Sequence, residues 1–314
     1  MTKPIVCYGD LVADVVLQIP RLPILPEQSQ LVRSLTIEPG GAGNFLITAA
    51  RLGGNCVALG AIGEDLNGET IYQILKNEGI DLKFVQRGAN SVNVVVFVFV
   101  DDAGQHVFIA HDGTGDPYAI NPPETNCIRN AGVLFVPGYV LAEQRMSHAA
   151  MNAIQIARAA NVSIFSDLGP IVRDAHVREN ALEVVRHSHI SLLTADEAMT
   201  FACQSTETAA AQELLNIGSR FVILKRGALG CGIFSADGTI DIEGIRVEAK
   251  DTTGAGDTFA GGFCVDWLKH GDVVRAARFA NIVAAAKVQK IGSGRQCPTV
   301  AEVEALLEQQ PLGG

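Results

Sequence analysis

Residues 245–268 read IRVEAKDTTGAGDTFAGGFCVDWL, and their order decides the fold. Ile245, Val247 and Ala249 alternate as a strand edge would. Phe259, Phe263 and Trp267 then recur at every fourth position, the spacing of one helix face. Thr252, Thr253, Gly254, Ala255, Gly256 and Asp257 stand between them, so the stretch predicts strand, glycine-rich turn, helix start. The first N–H groups of a helix have no internal partner, and that end carries partial positive charge. Glycines let the chain turn tightly and bring those groups close to an anion such as phosphate. A bare anion site has no use for the carboxylate of Asp257. A site in which an alcohol attacks a phosphoryl group does: the carboxylate takes the hydroxyl proton while the amides of Gly254, Ala255 and Gly256 receive the charge. A plain helix cap would use the same residues, and local sequence leaves both open.

Working outward, the chain alternates. PIVCYGD (4–10), CVALGAIG (56–63), AGVLFVPGY (131–139), VSIFSD (162–167), ISLLT (190–194) and RFVILKRG (220–227) read as buried strands. Helical spacing falls at 40–53, 67–78, 143–160, 174–187, 206–216, 256–269 and 272–288. CGIFSADGTIDIEG (231–244) reads as a hairpin turning at Asp237–Gly238. Repeated strand–helix units predict an α/β fold with a mostly parallel sheet covered by helices on both faces. VVLQIP and SQLVRSLTIE, parted by Pro20, Pro23 and Pro26, read as two strands and a loop, and VNVVVFVFV with QHVFIA reads as a second hairpin. These pieces predict a small separate β-sheet from 15–37 and 90–111. The core is then expected from 1–14, 38–89 and 112–314. A hairpin apolar on both faces needs cover from a substrate or a second subunit. The tail EQQPLGG reads as a frayed end.

Composition narrows the class. The 314 residues are 48% hydrophobic and 18% charged, enough apolar content for a substantial core. The net charge of −10 and the lack of a basic block argue against nucleic acid as a partner. The seven cysteines are scattered with no CxxC pair, as expected of core thiols in a reducing compartment. No signal peptide or membrane-spanning apolar run is evident, so the expected location is cytoplasmic.

TTGAGDTFAGG resembles the C-terminal signature of the ribokinase-like (PfkB) family of carbohydrate and nucleoside kinases. PGGAGNFLITAARLG with GAIGEDLNG resembles that family's N-terminal signature. The Gly-Lys-Ser/Thr ending of a P-loop is missing. The resemblance implies a Rossmann-like core, a β lid over the sugar site, and dimers paired through the lids. It implies ATP and Mg²⁺ as cofactors, an anion hole at Gly254–Ala255–Gly256 and a catalytic base at Asp257. Asp14, Gly41 and Asn44 would hold substrate hydroxyls, and Glu143 falls where members often carry an acidic residue near metal and phosphates. Where the family has Asn-x-x-Glu, this chain has Thr194 and Glu197, the glutamate reaching Mg²⁺ through water. Lys225, Gly227 and Gly230 match the nucleotide loop, and Asn281 falls beside the adenine site. Asp251 and Thr253, with the 292–297 loop, resemble the monovalent-cation (K⁺) site of some members. Two departures bear on the acceptor. Val12 replaces the Asn of the ribose branch, and Ala42 replaces a Lys of the glycine turn. Both count against ribose and against an already phosphorylated sugar.

The expected activity is transfer of a phosphoryl group from ATP to a hydroxymethyl group of a sugar or nucleoside. A non-catalytic small-molecule sensor on the same fold would be distinguished by the absence of acceptor-dependent ATP consumption. A nicotinamide-dependent oxidoreductase fits worse, because GGAGN lacks the strand–GxGxxG–helix setting with its following acidic residue.

Overall fold

The structure is a computed structural model that describes residues 3–173 and 177–309. Its strands in chain order are β1 (Ile5–Tyr8), β2 (Ala13–Gln18), β3 (Ser34–Pro39), β4 (Cys56–Ile62), β5 (Asp81–Arg87), β6 (Val95–Val100), β7 (His106–His111), β8 (Val133–Pro137), β9 (Ser163–Asp167), β10 (Ile190–Thr194), β11 (Phe221–Lys225), β12 (Cys231–Ser235) and β13 (Gly238–Ile242). Nine of them form one sheet in the order β13-β12-β11-β10-β9-β8-β1-β4-β5. Every pair from β11 to β5 is parallel, and the hairpin β12–β13 closes the other edge antiparallel.

The central strands are apolar throughout because both of their faces are covered. Side chains alternate across a strand, so β1 sends Ile5 and Cys7 to one side and Val6 and Tyr8 to the other. The first side packs on Phe45 of the helix Ala42–Arg51, Leu75 of Leu66–Asn77, Phe263 of Ala255–His270 and Ala277 of Val273–Val288. The second packs on Ala150 of the helix Gln144–Ala159, Val184 of Arg178–His187, Phe201 of Ala195–Ala202 and Leu214 of Glu207–Ile217.

The other four strands form a second sheet, β3-β2-β6-β7. Asp14 belongs to it, opposite Glu38 on β3 and Val96 on β6. Its hydrogen bonding therefore begins before residue 15, the boundary drawn from sequence, because β2 starts only a short loop after β1. Val16, Val98 and Val100 make a small core of their own, whereas all of β7 is exposed.

Some elements differ from the sequence reading. Residues 243–249 are not a strand. Their alternation gives an extended run, but β13 pairs only with β12, and Lys250 N–H instead reaches Val288 O at 2.7 Å. The edge strand β5, DLKFVQR, alternates too weakly to be read, since only Leu82 in it is buried. The helix Pro122–Arg129 opens on two prolines, a loop signal that is equally a helix-start signal. The helix Val300–Gln309 buries only Val303. Of the helix expected from 174, residues 174–176 lie outside the described residues, as does the tail from 310. Among the described residues, no helix is long and apolar enough to cross a membrane.

Candidate active site

Parallel neighbours bring their C-terminal ends to one edge, where open α/β sheets bind ligands. In this chain Pro137 lies opposite Asp167 and Thr194 opposite Lys225. Asp167, Thr194 and Lys225 therefore share that edge. The helices Ala42–Arg51 and Ala255–His270 begin there too. Asn44 in the first turn of one meets Asp257 in the first turn of the other: Asn44 Nδ2 donates to Asp257 Oδ2 at 3.1 Å. The Asn44 Oδ1 accepts from Gly294 N–H at 2.7 Å, so one amide ties three segments together.

The turn before Asp257 has the form of an anion site. Gly254 is left-handed at φ 71°, and a Cβ there would stand 2.9 Å from Asn44 Nδ2. Ala255 N–H is spent on Thr252 O at 3.1 Å. Among the described residues, the N–H groups of Gly254, Gly256 and Asp257 find no such partner. The donors left open are thus not quite the three expected, with Asp257 N–H standing in for Ala255. Lys225 adds a positive charge, since a Cβ on Gly256 would lie 3.1 Å from its Nζ.

Two carboxylates face this turn. Burial pushes Asp257 up to about 7, with Asp167 and Asp14 adding to the rise and Asn44 and Lys225 opposing it. Burial likewise pushes Asp14 to about 7, with Ser293 opposing and Glu38 adding. Gly40 makes the room, since a Cβ there would fall 2.1 Å from Asp14 Oδ1. Gly41 follows at φ 45°, beside Val12 and Tyr139. Tyr139 stands at the mouth, 44% exposed, within the field of Asp257, Asp167, Glu197 and Asp14.

On the strand-end side, Lys225 Nζ is 2.5 Å from Asp167 Oδ2. Burial pulls the lysine down, but Asp167 and then Glu197 outweigh it and leave its pKa raised. Thr194 and Glu197 form a capping box: Glu197 N–H donates to Thr194 Oγ1 at 3.2 Å, and Thr194 N–H to Glu197 Oε2 at 2.8 Å. The other Glu197 oxygen has no hydrogen-bond partner among the described residues. Gly227 and Gly230 bracket a tight turn, with Gly230 pressed against Ile242 O. Arg226, considered from sequence beside Lys225, is held instead by Glu207 and Asp241. Asn281 Nδ2 donates to Glu243 O at 3.2 Å and so ties its helix to the 243–249 segment.

The remaining candidates lie apart from Asp257. Glu143 is turned to Arg145, its ion-pair partner, and to Asp10. Asp10, Asn93 and Arg145 line a cavity of about 280 Å³ at the ends of β4 and β5, which Asp14, Asn44 and Asp257 do not line. Asp251 is committed to its own loop: Oδ1 accepts from Thr253 N–H at 2.9 Å and the Thr253 hydroxyl at 2.7 Å, and Oδ2 from Gly292 N–H at 2.7 Å. Sequence reading missed Asp167, Tyr139, Glu38 and Ser293. A charge ending a buried strand was the available sign for Asp167.

Residues 2–300 match the profile described as pfkB family carbohydrate kinase. The ATP-dependent ribose-1-phosphate kinase of Halopiger xanaduensis is 31% identical over 305 residues, 95% of each chain. The aminoimidazole riboside kinase of Salmonella typhimurium is 26% identical over 286 residues, 87% of this chain and 89% of that one. Among solved structures, Arabidopsis thaliana ribokinase complexed with ribose and ATP superposes with a TM-score of 0.83 at 23% identity, covering 98% of this chain and 99% of that one. A putative ribokinase II from E. coli gives a TM-score of 0.87 at 21% identity, covering 98% and 100%. With the α/β architecture, the paired helix starts at Asn44 and Asp257 and a match spanning nearly the whole chain, this protein belongs to the pfkB family of carbohydrate kinases.

Proposed function

We propose that the chain transfers the γ-phosphoryl group of ATP to a hydroxymethyl group of a sugar or nucleoside. The observation that carries this is Asp257: a carboxylate held near neutral pKa, fixed by Asn44, at a helix start whose N–H groups are open. A base of that pKa is half ionised near pH 7 and suited to accept a hydroxyl proton. The Gly254, Gly256 and Asp257 amides and Lys225 take up charge on the moving group. Asp14 accepts hydrogen bonds from other acceptor hydroxyls, and as an ionised group it holds them strongly. Tyr139 and the four-stranded sheet shield the reacting atoms from water, the competing acceptor.

Asp167 and the open oxygen of Glu197 would be the oxygen donors for Mg²⁺, which keeps much of its water shell and would neutralise phosphate charge. Thr194, Gly227 and Gly230 lie along the same edge for the nucleotide, and Asn281 packs beside it. Glu143, through Arg145 and Asp10, shapes the neighbouring cavity for the far end of the acceptor. The exposed apolar residues Phe97, Val107 and Ile109, which alternate onto one side of the four-stranded sheet, form a face for a second copy, giving a homodimer.

The test is acceptor-dependent ADP release. The relatives' names include ribose 1-phosphate, aminoimidazole riboside and 5-dehydro-2-deoxygluconate, and these head the panel with free ribose and fructose. Ala42 in the glycine turn favours unphosphorylated acceptors, so ribose against ribose 1-phosphate is the informative pair. No ADP release above the acceptor-free rate across the panel would overturn the reading.

A further inference from the structure

Lys287 interrupts the largely apolar run FANIVAAAKV (279–288) and is 0% exposed, yet its Nζ makes no hydrogen bond to any described residue. A buried ammonium without a hydrogen bond is costly, so its surroundings need to account for it. They are the loop assembly behind the anion turn. Lys250 and Asp251 both donate their N–H groups to the carbonyl of Val288, the residue after Lys287, at 2.7 and 3.2 Å. Of the carboxylates, Asp251, only 2% exposed, bears most strongly on the lysine's charge and Asp257 less, with Lys290 opposing. Burial draws the Lys287 pKa below the ordinary lysine value, and Asp251 works against that.

This arrangement does not fit the K⁺ expected at Asp251 and Thr253. Both Asp251 oxygens already accept hydrogen bonds. A second monovalent cation beside a buried ammonium would be repelled far more strongly than in water. We propose that the Lys287 side chain is a built-in counter-charge for Asp251 and the 252–256 turn, so that this protein works without a monovalent cation. Lys287 acts as a positioning residue through its charge: it favours ionised Asp251, which accepts from Thr253, from which the turn to Asp257 begins. The inference rests on the kinase reading for its activity arm only.

The experiment compares K⁺ with tetramethylammonium, at about 0.1 M each to match screening, for the wild type, Lys287→Met and Lys287→Ala. Wild-type turnover and melting temperature are expected to be the same in both salts. Lys287→Met keeps the length without the charge and is expected to lose turnover by about tenfold or more, which corresponds to about 1.4 kcal/mol of barrier. Lys287→Ala opens space, so K⁺ is expected to raise its melting temperature, and its turnover if the kinase reading holds. K⁺ stimulation of wild-type turnover by about tenfold, or a K⁺-dependent rise in the wild-type melting temperature, would overturn the proposal. So would a folded Lys287→Ala indifferent to K⁺ in both readouts. The melting arm needs no acceptor and stays decisive if no acceptor is found. If either variant fails to fold, the wild-type comparison alone decides.

Discussion

Asp257→Asn separates chemistry from binding. The substitution keeps the size of the side chain, and its amide oxygen can still accept from Asn44 Nδ2, so the local packing should persist. Loss of a general base costs about 10²–10⁴-fold in turnover. Stability should move the other way. The carboxyl is raised from 3.8 to about 7, a rise of about 3. At about 1.36 kcal/mol per unit this is on the order of 4 kcal/mol, and partial exposure of the side chain brings it to about 2–4 kcal/mol. The folded state binds more protons than the unfolded chain between those two values. Stability from this group is therefore full below pH 4 and is lost as pH climbs through 7. The variant, uncharged throughout, escapes that loss. Urea unfolding at pH 5 and pH 8 measures it: the drop in midpoint between the two should be smaller in Asp257→Asn than in the wild type. Part of the drop should remain, because Asp14 is raised in the same sense. ATP affinity, measured by calorimetry, should be unchanged. Turnover within about tenfold of wild type, or an unaltered pH dependence of unfolding, would refute the assignment.

In the wild type, kcat/KM should fall below pH 7 with a log slope between one and two, because Asp257 and Asp14 both titrate near 7 and both are needed ionised; a pH–rate profile checks it. Asp14→Asn should raise KM for the acceptor by about tenfold or more, with ATP affinity held, as read by initial rates. Gly254→Ala places a Cβ on a left-handed residue and against Asn44 Nδ2; a stability loss of about 1–2 kcal/mol and a larger fall in kcat are expected, by denaturation and turnover together. Lys225→Met leaves Asp167 buried without its partner, and should cost about 3–5 kcal/mol of stability and weaken ATP binding, measured by melting and calorimetry.

Much of the fold was legible because buried parallel strands carry unbroken apolar runs. β1, β8, β10 and β11 were all read from such runs, and the helix that begins beside Asp257 from the spacing after it. What alternates weakly at an edge, as β5 does, or buries a single side chain, as Val300–Gln309 does, gives no such signal. Periodicity also cannot say whether an extended run has a neighbour to pair with, and residues 243–249 have none. The meeting of Asn44 with Asp257 and Gly294 spans over two hundred residues and is set by helix packing, not by spacing. Glu143 reads as a site acid beside a strand end, yet its direction depends on Arg145, two residues further on, and on Asp10. Asp167 had a readable position and an unreadable role, since only the parallel register puts Lys225 within its reach.

Asp14 is mounted on the four-stranded sheet, and Asp257 on a helix that covers the nine-stranded one. The gap between the residue proposed to grip the acceptor and the residue proposed to deprotonate it is therefore a property of the joint, not of either half. Across that joint run the Glu38–Arg295 ion pair, at 2.8 Å, and Gly40, which has no room for even a methyl group. A change at this seam, remote from every phosphate, would detune the reach between hands that never touch each other, and would register as misaligned substrate while each hand alone stayed intact.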